Sequence, residues 1–442
     1  MIPSRLVYLL LSLGIAIAIF VAILKNLQIA VVVVLIYDAV VLLLGVIDAL
    51  RVKANRVEIK RHHTERLSVG RDNRVTLSLR SSKTPASVLI KDYYPLQFNV
   101  PQSTLQQTLA SNTSEELTYT VYPNSRGEFL WGNIQVRQLG PWGLGWYDWQ
   151  VSAQQKVAVY PDLIGLRSLS IRLALENTGS MRQAKRLGTG TEFSELREYS
   201  IGDDTRLIDW KATARRSRPL VRVLEPEKEQ TLIILLDRGR LMTAQVQGLT
   251  RFDWGLNATL SLALAGLNRG DRVGVGVFDR EVTTWIPPER GQNHLPKLIE
   301  RLTPIQPVLL EPDYMGAITK LVNQQTRRAL VVLITDIVDT TASAELLASL
   351  MRLTPRYLPL CVTLRDPQVD VIAHTANTIE NKQQGKVETA YSRAVALDLL
   401  SQREVAFAQL KQKGVLVLDA PANQISEELV EQYLRLKARN LL

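Results

Sequence analysis

Thr231-Leu232-Ile233-Ile234-Leu235-Leu236-Asp237 reads as a buried β-strand: a short uncharged run, aliphatic from Leu232 on, closed by a carboxylate. Downstream of it, residues 251–267 have amphipathic helical spacing and 272–278 form a second strand. Residues 314–322 read as a helix, 329–335 as a strand ending in Asp336, and 343–353 as another helix. A strand at 358–364, a long helix around 395–411, a last strand at 414–419 and a closing helix at 426–437 complete the series. Strands alternating with helices predict a Rossmann-like parallel sheet with helices on both faces over 230–442. Ligands of such sheets bind at the carboxyl ends of the strands, where Asp237 and Asp336 fall.

At the other end of the chain, residues 6–24 carry no charge, Lys25-Asn26 interrupts, and a second apolar run extends from 27 to about 47. Each run is close to the ~20 residues a helix needs to cross the hydrocarbon core. A cleaved signal peptide fits the first run less well, because no small-residue cleavage site precedes the second. The short connection predicts an antiparallel transmembrane hairpin over 1–54. Arg51, Lys53, Arg56, Lys60 and Arg61 follow it, which puts both termini and the large domains on the cytoplasmic side of an inner or plasma membrane. Asp38 falls mid-helix, where a carboxylate costs roughly 2.5–3.5 kcal/mol on insertion scales. In the hairpin it comes level with residues 12–14, so the expectation is a bond to Ser12, with contact to a partner's helix as the alternative.

Short alternating segments at 66–80, 88–93, 117–122, 134–136 and 157–160 predict a small β-sandwich over 55–162. Its loop Gly140-Pro141-Trp142-Gly143-Leu144-Gly145-Trp146, followed by Tyr147 and Trp149, either plugs the open end of the sandwich or meets a partner or the membrane interface.

With 53 Lys+Arg against 43 Asp+Glu, the net charge of +10 admits either nucleic acid or anionic headgroups as a neighbour. The basic cluster Lys211, Arg215, Arg216, Arg218 lies among Asp203, Asp204, Asp209, Glu225 and Glu227. Self-pairing therefore fits it better than a phosphate track, and no nucleic acid is expected. A single cysteine, Cys361, excludes an intrachain disulfide and a cysteine-rich metal site, and suits a reducing compartment. His62-His63 lacks a nearby acidic or cysteine ligand set and reads as polar surface. There is no Walker-type loop, no His-Glu-x-x-His and no Gly-x-Ser-x-Gly, and Gly188-Thr189-Gly190 is too short to count as a phosphate loop.

The segment 163–229 is polar and strongly charged, and within it lies a signature running through Arg197, Tyr199, Gly202-Asp203-Asp204, Arg206, Asp209-Trp210-Lys211 and Arg215. Gly202-Asp203 makes a turn, Asp204 caps a short helix, and Arg206 and Asp209 share one helix face and can pair around a packed Trp210. The signature either braces the domains or forms a partner surface.

Continued through Leu220-Val221-Arg222 and Glu225 to Asp237, this signature resembles that of the bacterial family called domain of unknown function 58. The resemblance covers most of the chain and implies a membrane-anchored protein whose α/β domain is similar to von Willebrand factor A. It also implies a non-enzymatic adaptor that docks protein partners, commonly a MoxR-type AAA+ ATPase, in assembling or maturing other complexes. In von Willebrand A domains three loops hold a divalent ion, through Asp-x-Ser-x-Ser, a Thr and an Asp. Here Gly239 and Leu241 replace the serines, no threonine stands near Glu311-Pro312-Asp313-Tyr314, and only Asp237 and Asp336 remain as metal ligands. The expectation is a degenerate site in which Arg238 or Arg240 takes the cation's place beside Asp237 or Asp336. Weak Mg²⁺ binding, helix capping by the two acids, and an uncharacterised enzyme are the alternatives.

Overall fold

The computed structural model of the protein describes residues 2–24, 27–63, 66–82, 84–174, 192–225, 230–337, 344–374 and 383–439. The Lys25-Asn26 connection, Gly188-Thr189-Gly190, Glu227 and Ser343 lie outside the described residues. The chain is a mixed α/β protein of two compact units, Met1–Tyr160 and Pro161–Leu442.

The first unit opens on a two-residue strand, Ile2–Pro3, followed by the helices Arg5–Leu24 and Leu27–Val52. Among the described residues one helix, Ala30–Val52, is long and apolar enough to cross a membrane, and Arg5–Phe20 is a shorter apolar helix. The two helices touch where Gly14 leaves no room for a side chain: a Cβ there would come within 2.8 Å of the Tyr37 ring and 3.0 Å of Asp38 Oδ1. Small residues allow such close approach of apolar helices.

Three sheets follow. The five-stranded one runs Ile2–Pro3, Gly145–Val151, Ile134–Leu139, Ala86–Asp92, Leu105–Leu109 in spatial order. A four-stranded one contains Glu58–His63, Asn73–Arg80, Ser114–Pro123 and Phe98–Asn99, and a three-stranded one Arg66–Ser68, Gln155–Tyr160 and Gly127–Trp131. The period of two along Asn73–Arg80 buries Val75, Leu77 and Leu79 completely. Trp131 is buried with Phe98 edge-on at 5.7 Å. Beneath them Asp92 accepts from the Arg61 guanidinium and, at 2.6 Å, from the Tyr119 hydroxyl, so this buried charge is paired.

In the second unit a six-stranded sheet runs Val282–Glu289, Arg272–Phe278, Thr231–Asp237, Leu330–Thr335, Leu358–Arg365, Leu416–Pro421. All neighbours are parallel except Val282–Glu289, which runs antiparallel at the edge. That edge strand, absent from the series read in the sequence, contains Pro287 and Pro288, which an edge tolerates. Leu232, Ile234 and Leu236 enter one core and Ile233 and Leu235 the opposite one, so both faces are covered.

The helix Arg251–Asn268 starts on a reciprocal capping box between Thr250 and Asp253. Its spacing suggests an amphipathic helix, yet it is buried almost all round. It is enclosed by the sheet, by the helix Ile425–Ala438 and by residues 163–174, whose Leu166, Leu169 and Leu173 join the same core. Those leucines recur at three and four residues on a helix, so 163–174 belong to the α/β core rather than to a linker.

Candidate functional site

The parallel strands deliver a row of polar groups to one edge of the sheet: Asp279 after Arg272–Phe278, then Asp237, Thr335-Asp336, Thr363 and Asp419. Arginines meet most of these acids. Arg238 donates from Nε to Asp279 at 2.7 Å, and despite burial its charge holds that carboxyl below the usual range. Asp336 takes Arg251 on Oδ2 at 2.7 Å and Arg403 on Oδ1 at 2.7 Å. The same Arg403 reaches Asp419 at 2.8 Å, where Thr363 and Arg365 also bond. Burial opposes the charge of Arg403, but Asp336 and Asp419 outweigh it and push its pKa up.

Asp237 differs: it is fully buried and meets no cation among the described residues. Its Oδ1 accepts from the Gly239 amide at 2.6 Å, and its Oδ2 from Thr335 Oγ1 at 2.7 Å and the Tyr314 hydroxyl at 3.3 Å. Burial pushes this carboxyl up to about 6, against the pull of those three donors. The neighbouring Cys361 is equally buried and its thiol is pushed up to about 12, which makes it inert rather than nucleophilic.

Arg238 and Arg240 do not take the cation's role. Arg238 follows Asp237 on the strand's alternation and turns to Asp279, while Arg240 pairs with Glu311 at 2.7 Å. Neither Asp237 nor Asp336 caps a helix in the described residues: Asp237 bonds the Gly239 amide and Asp336 the Ile337 amide. Position 239 is closed to a side chain, since a Cβ would lie 2.8 Å from Leu310 O and 3.0 Å from Asp237 Oδ1. In the segment Glu311 to Tyr314, where the resemblance implies a threonine, it is the Tyr314 hydroxyl that reaches Asp237.

These residues do not fit a divalent ion. Both oxygens of Asp336 face guanidinium groups, both oxygens of Asp237 are taken, and among the described residues no three His, Cys, Asp or Glu side chains gather as ligands. Arg251 and Arg403 were not legible as site residues. Arg403 did leave a trace, as a lone cation on the helical stripe of Ala406, Phe407 and Leu410.

The charged signature folds as a two-stranded ribbon, Glu192–Glu198 against Leu220–Glu225, joined by a short 3₁₀ turn and the helix Trp210–Arg216. Asp203 accepts from Arg197 at 2.7 Å and from the Ser200 amide, which hold its carboxyl below the usual range. Asp204 caps the 3₁₀ turn through the Arg206 amide, as its position implied. Asp209 does not pair with Arg206. It caps the next helix through the Ala212 amide at 3.0 Å and takes Arg222 at 2.9 Å, because the ribbon brings Arg222 alongside. Tyr199 closes the ribbon through its amide to Pro219 O, and Gly202 adopts φ 104° at the turn. Trp210 is 69% exposed and Ile201 fully so, flanked by exposed Arg206, Lys211, Arg215 and Arg216. The tryptophan is therefore not packed inside a brace.

In the first unit Asp38 sits level with Gly14, as the hairpin geometry requires, but it does not bond Ser12. Ser12 Oγ donates to Leu9 O at 2.8 Å, and Asp38 Oδ1 is buried without a hydrogen-bond partner among the described residues. The Trp-rich loop does not plug a sheet: Leu144 packs with Val7 and Val41 of the two helices. Asp48, an acid that no sequence pattern singled out, receives that loop. The helix Ala30–Val52 suits this end of the chain to membrane association.

Residues 195–399 match the family model described as "Protein of unknown function DUF58". Uncharacterised proteins of Mycobacterium tuberculosis and Mycobacterium bovis are each 25% identical over 183 residues, 41% of this chain and 57% of their own length. The uncharacterised protein YeaD of Bacillus subtilis is 26% identical over 109 residues, 25% of each chain. The match thus spans little more than half of the mycobacterial relatives. Among solved structures, the chain is similar to an aerotolerance-related membrane protein of Bacteroides fragilis at 16% identity, covering 48% of this chain and 99% of that one with a TM-score of 0.31. It is also similar to BatB of Bacteroides thetaiotaomicron at 15% identity, with the same coverage and a TM-score of 0.28. Residues 195–399, which carry the charged signature and five strands of the sheet, are the part of the chain that is similar to the DUF58 family.

Proposed function

We propose that this chain is a membrane-anchored, non-enzymatic adaptor that docks protein partners through the exposed tip of its charged signature. The observation that carries this reading is the contrast between two surfaces. At the sheet edge Asp336 and Asp419 are bound to arginines and Asp237 is saturated by donors, so among the described residues these three carboxylates are already engaged. At the signature Trp210, Ile201 and four cations are offered to solvent, and Trp and Arg are the usual anchors of interfaces. The partner is an AAA+ ATPase of the MoxR type, an assignment that rests on the family resemblance. The strand order 3-2-1-4-5-6, numbered along the sheet's own strands, supports a von Willebrand A-like domain whose cation site has been replaced by arginines.

The chain crosses the membrane twice. The start of the first helix and the end of the second meet the same loop, through Ser4 N to Leu144 O at 2.9 Å and Asp48 to the Leu144 amide at 2.8 Å, which supports an antiparallel pair. Arg51, Lys53 and Arg56 at that end support a cytoplasmic side for both termini and both units. The β-rich part after the helices is read as a sandwich.

Affinity capture of the tagged full chain from detergent-solubilised membranes, with a slowly hydrolysed ATP analogue, tests the reading. The ATPase is expected with wild type and with Asp237→Asn, and lost with Trp210→Ala. Turnover of any substrate dependent on Asp237, or capture indifferent to Trp210, would overturn it.

A further inference from the structure

Asp48 is wholly buried at the end of the second helix. Its carboxylate accepts three backbone amides of one loop: Trp142 at 2.9 Å, Leu144 at 2.8 Å and Gly145 at 3.2 Å. Successive amides aimed at one anion form a nest. The loop's glycines make it possible, since a Cβ on Gly140 would overlap the Asp48 carboxylate and one on Gly145 would overlap Gly45 O. Ile2–Pro3 pairs with Gly145–Trp146 on the other side, so the loop is tied to both helices.

This clamp fixes two arginine–aromatic stacks beside the helix end. The Arg51 guanidinium lies 4.0 Å from the Trp142 ring centroid. Arg56 lies 5.1 Å from Tyr147 and 5.5 Å from Trp149, and donates to the Tyr147 hydroxyl at 2.8 Å. Trp142 stays 45% exposed, Arg51 and Lys53 are exposed, and neither cation is in an ion pair among the described residues. The height of this surface follows from helix geometry. A helix rising ~1.5 Å per residue traverses a ~30 Å hydrocarbon core in about 20 residues. Entered at Ala30, Asp48 and Arg51 leave it at the headgroup level.

We propose that the clamped loop and the helix end form a seat for the membrane's own lipid headgroups. The Trp142 ring lies in the interfacial layer, and Arg51 and Arg56 bind the phosphate of anionic phospholipid. Indole rings favour that layer, and a stacked guanidinium keeps donors free for a phosphate oxygen. The seat holds the β-rich unit at a fixed height on the bilayer instead of leaving it on a flexible tether.

The inference rests on the membrane-anchored reading, and its test separates the two. The full chain carrying Cys361→Ser is reconstituted into phosphatidylcholine vesicles with or without phosphatidylglycerol. An environment-sensitive fluorophore is placed at Trp142→Cys or, as reference, at Leu96→Cys. Leu96 is 99% exposed and follows Asp92, which pairs Ile134 at the opposite end of the strand whose Leu139 meets Trp146. Extraction of the chain by alkaline carbonate would defeat the membrane-anchored reading itself. With the chain integrated, shallow spin-labelled lipid is expected to quench the label at 142 several-fold more than at 96. Phosphatidylglycerol is expected to deepen that quenching, and Arg51→Gln with Arg56→Gln to abolish the deepening. Equal quenching at the two positions overturns the seat, and an effect of phosphatidylglycerol that survives the arginine changes overturns the phosphate contact.

Discussion

Arg403 forks between Asp336 at 2.7 Å and Asp419 at 2.8 Å, tying the helix Gln383–Gln412 to the carboxyl ends of two strands. A third bond, to Ile337 O at 2.5 Å, completes the fork. This guanidinium thus fills the space between two strand-end carboxylates.

Replacing Arg403 by Met leaves Asp336 with Arg251 alone and a buried carboxylate short of charge. Breaking a buried pair from one side costs about 3–5 kcal/mol. Urea unfolding of the full chain in detergent is expected to show that loss. Arg403→Lys should recover part of it, because an ammonium cannot bridge two carboxylates in one plane. A loss below about 1 kcal/mol for the Met variant would mean the pair only breaks even.

Divalent metal should neither bind nor stabilise. Titration of Mg²⁺ or Mn²⁺ by calorimetry is expected to give heats of dilution only, and the melting temperature should not move. A saturable isotherm that Asp336→Ala removes would contradict the arginine-filled site.

Asp237 supplies a pH dependence of known sign. Its carboxyl is raised from 3.8 to about 6, so the folded state holds the proton more tightly than the unfolded one. The contribution is therefore full below the unfolded pKa and is lost as pH rises through about 6. At 1.36 kcal/mol per unit the loss is about 3 kcal/mol. Comparing wild type with Asp237→Asn by unfolding between acid and neutral pH should give a difference that changes across this window and is flat above it. A constant difference would mean that the carboxyl titrates alike in the folded and unfolded states.

The Asp48 clamp predicts a graded series. Asp48→Ala leaves three amides without an acceptor, at about 1–3 kcal/mol for each buried donor that water cannot reach. Gly140→Ala and Gly145→Ala should destabilise strongly through overlap. Gly143→Ala has open space at φ 72° and should cost only about 1 kcal/mol. Thermal melts that fail to separate Gly140 from Gly143 would remove the clamp as the reason for those glycines.

Trp210→Ala and Ile201→Ser should change stability by no more than about 0.5 kcal/mol, as exposed positions do, while partner capture is lost. Destabilisation by several kcal/mol would instead make the signature a structural brace.

What the sequence determined by itself is what local periodicity encodes. The apolar helices, the period-two strands and the strand–helix alternation from Thr231 onward were legible because each depends on neighbours a few residues away. So were Asp237 and Asp336 at strand ends and the cap at Asp204. The tertiary structure alone decided the pairings. Arg403 meets Asp336 across 67 positions, and Asp48 meets the Trp142 to Gly145 amides across 94 to 97. Asp209 chose Arg222 over Arg206 because a ribbon set them side by side. Composition holds equal numbers of candidate partners for every acid, and only the strand order and register bring one of them within bonding distance.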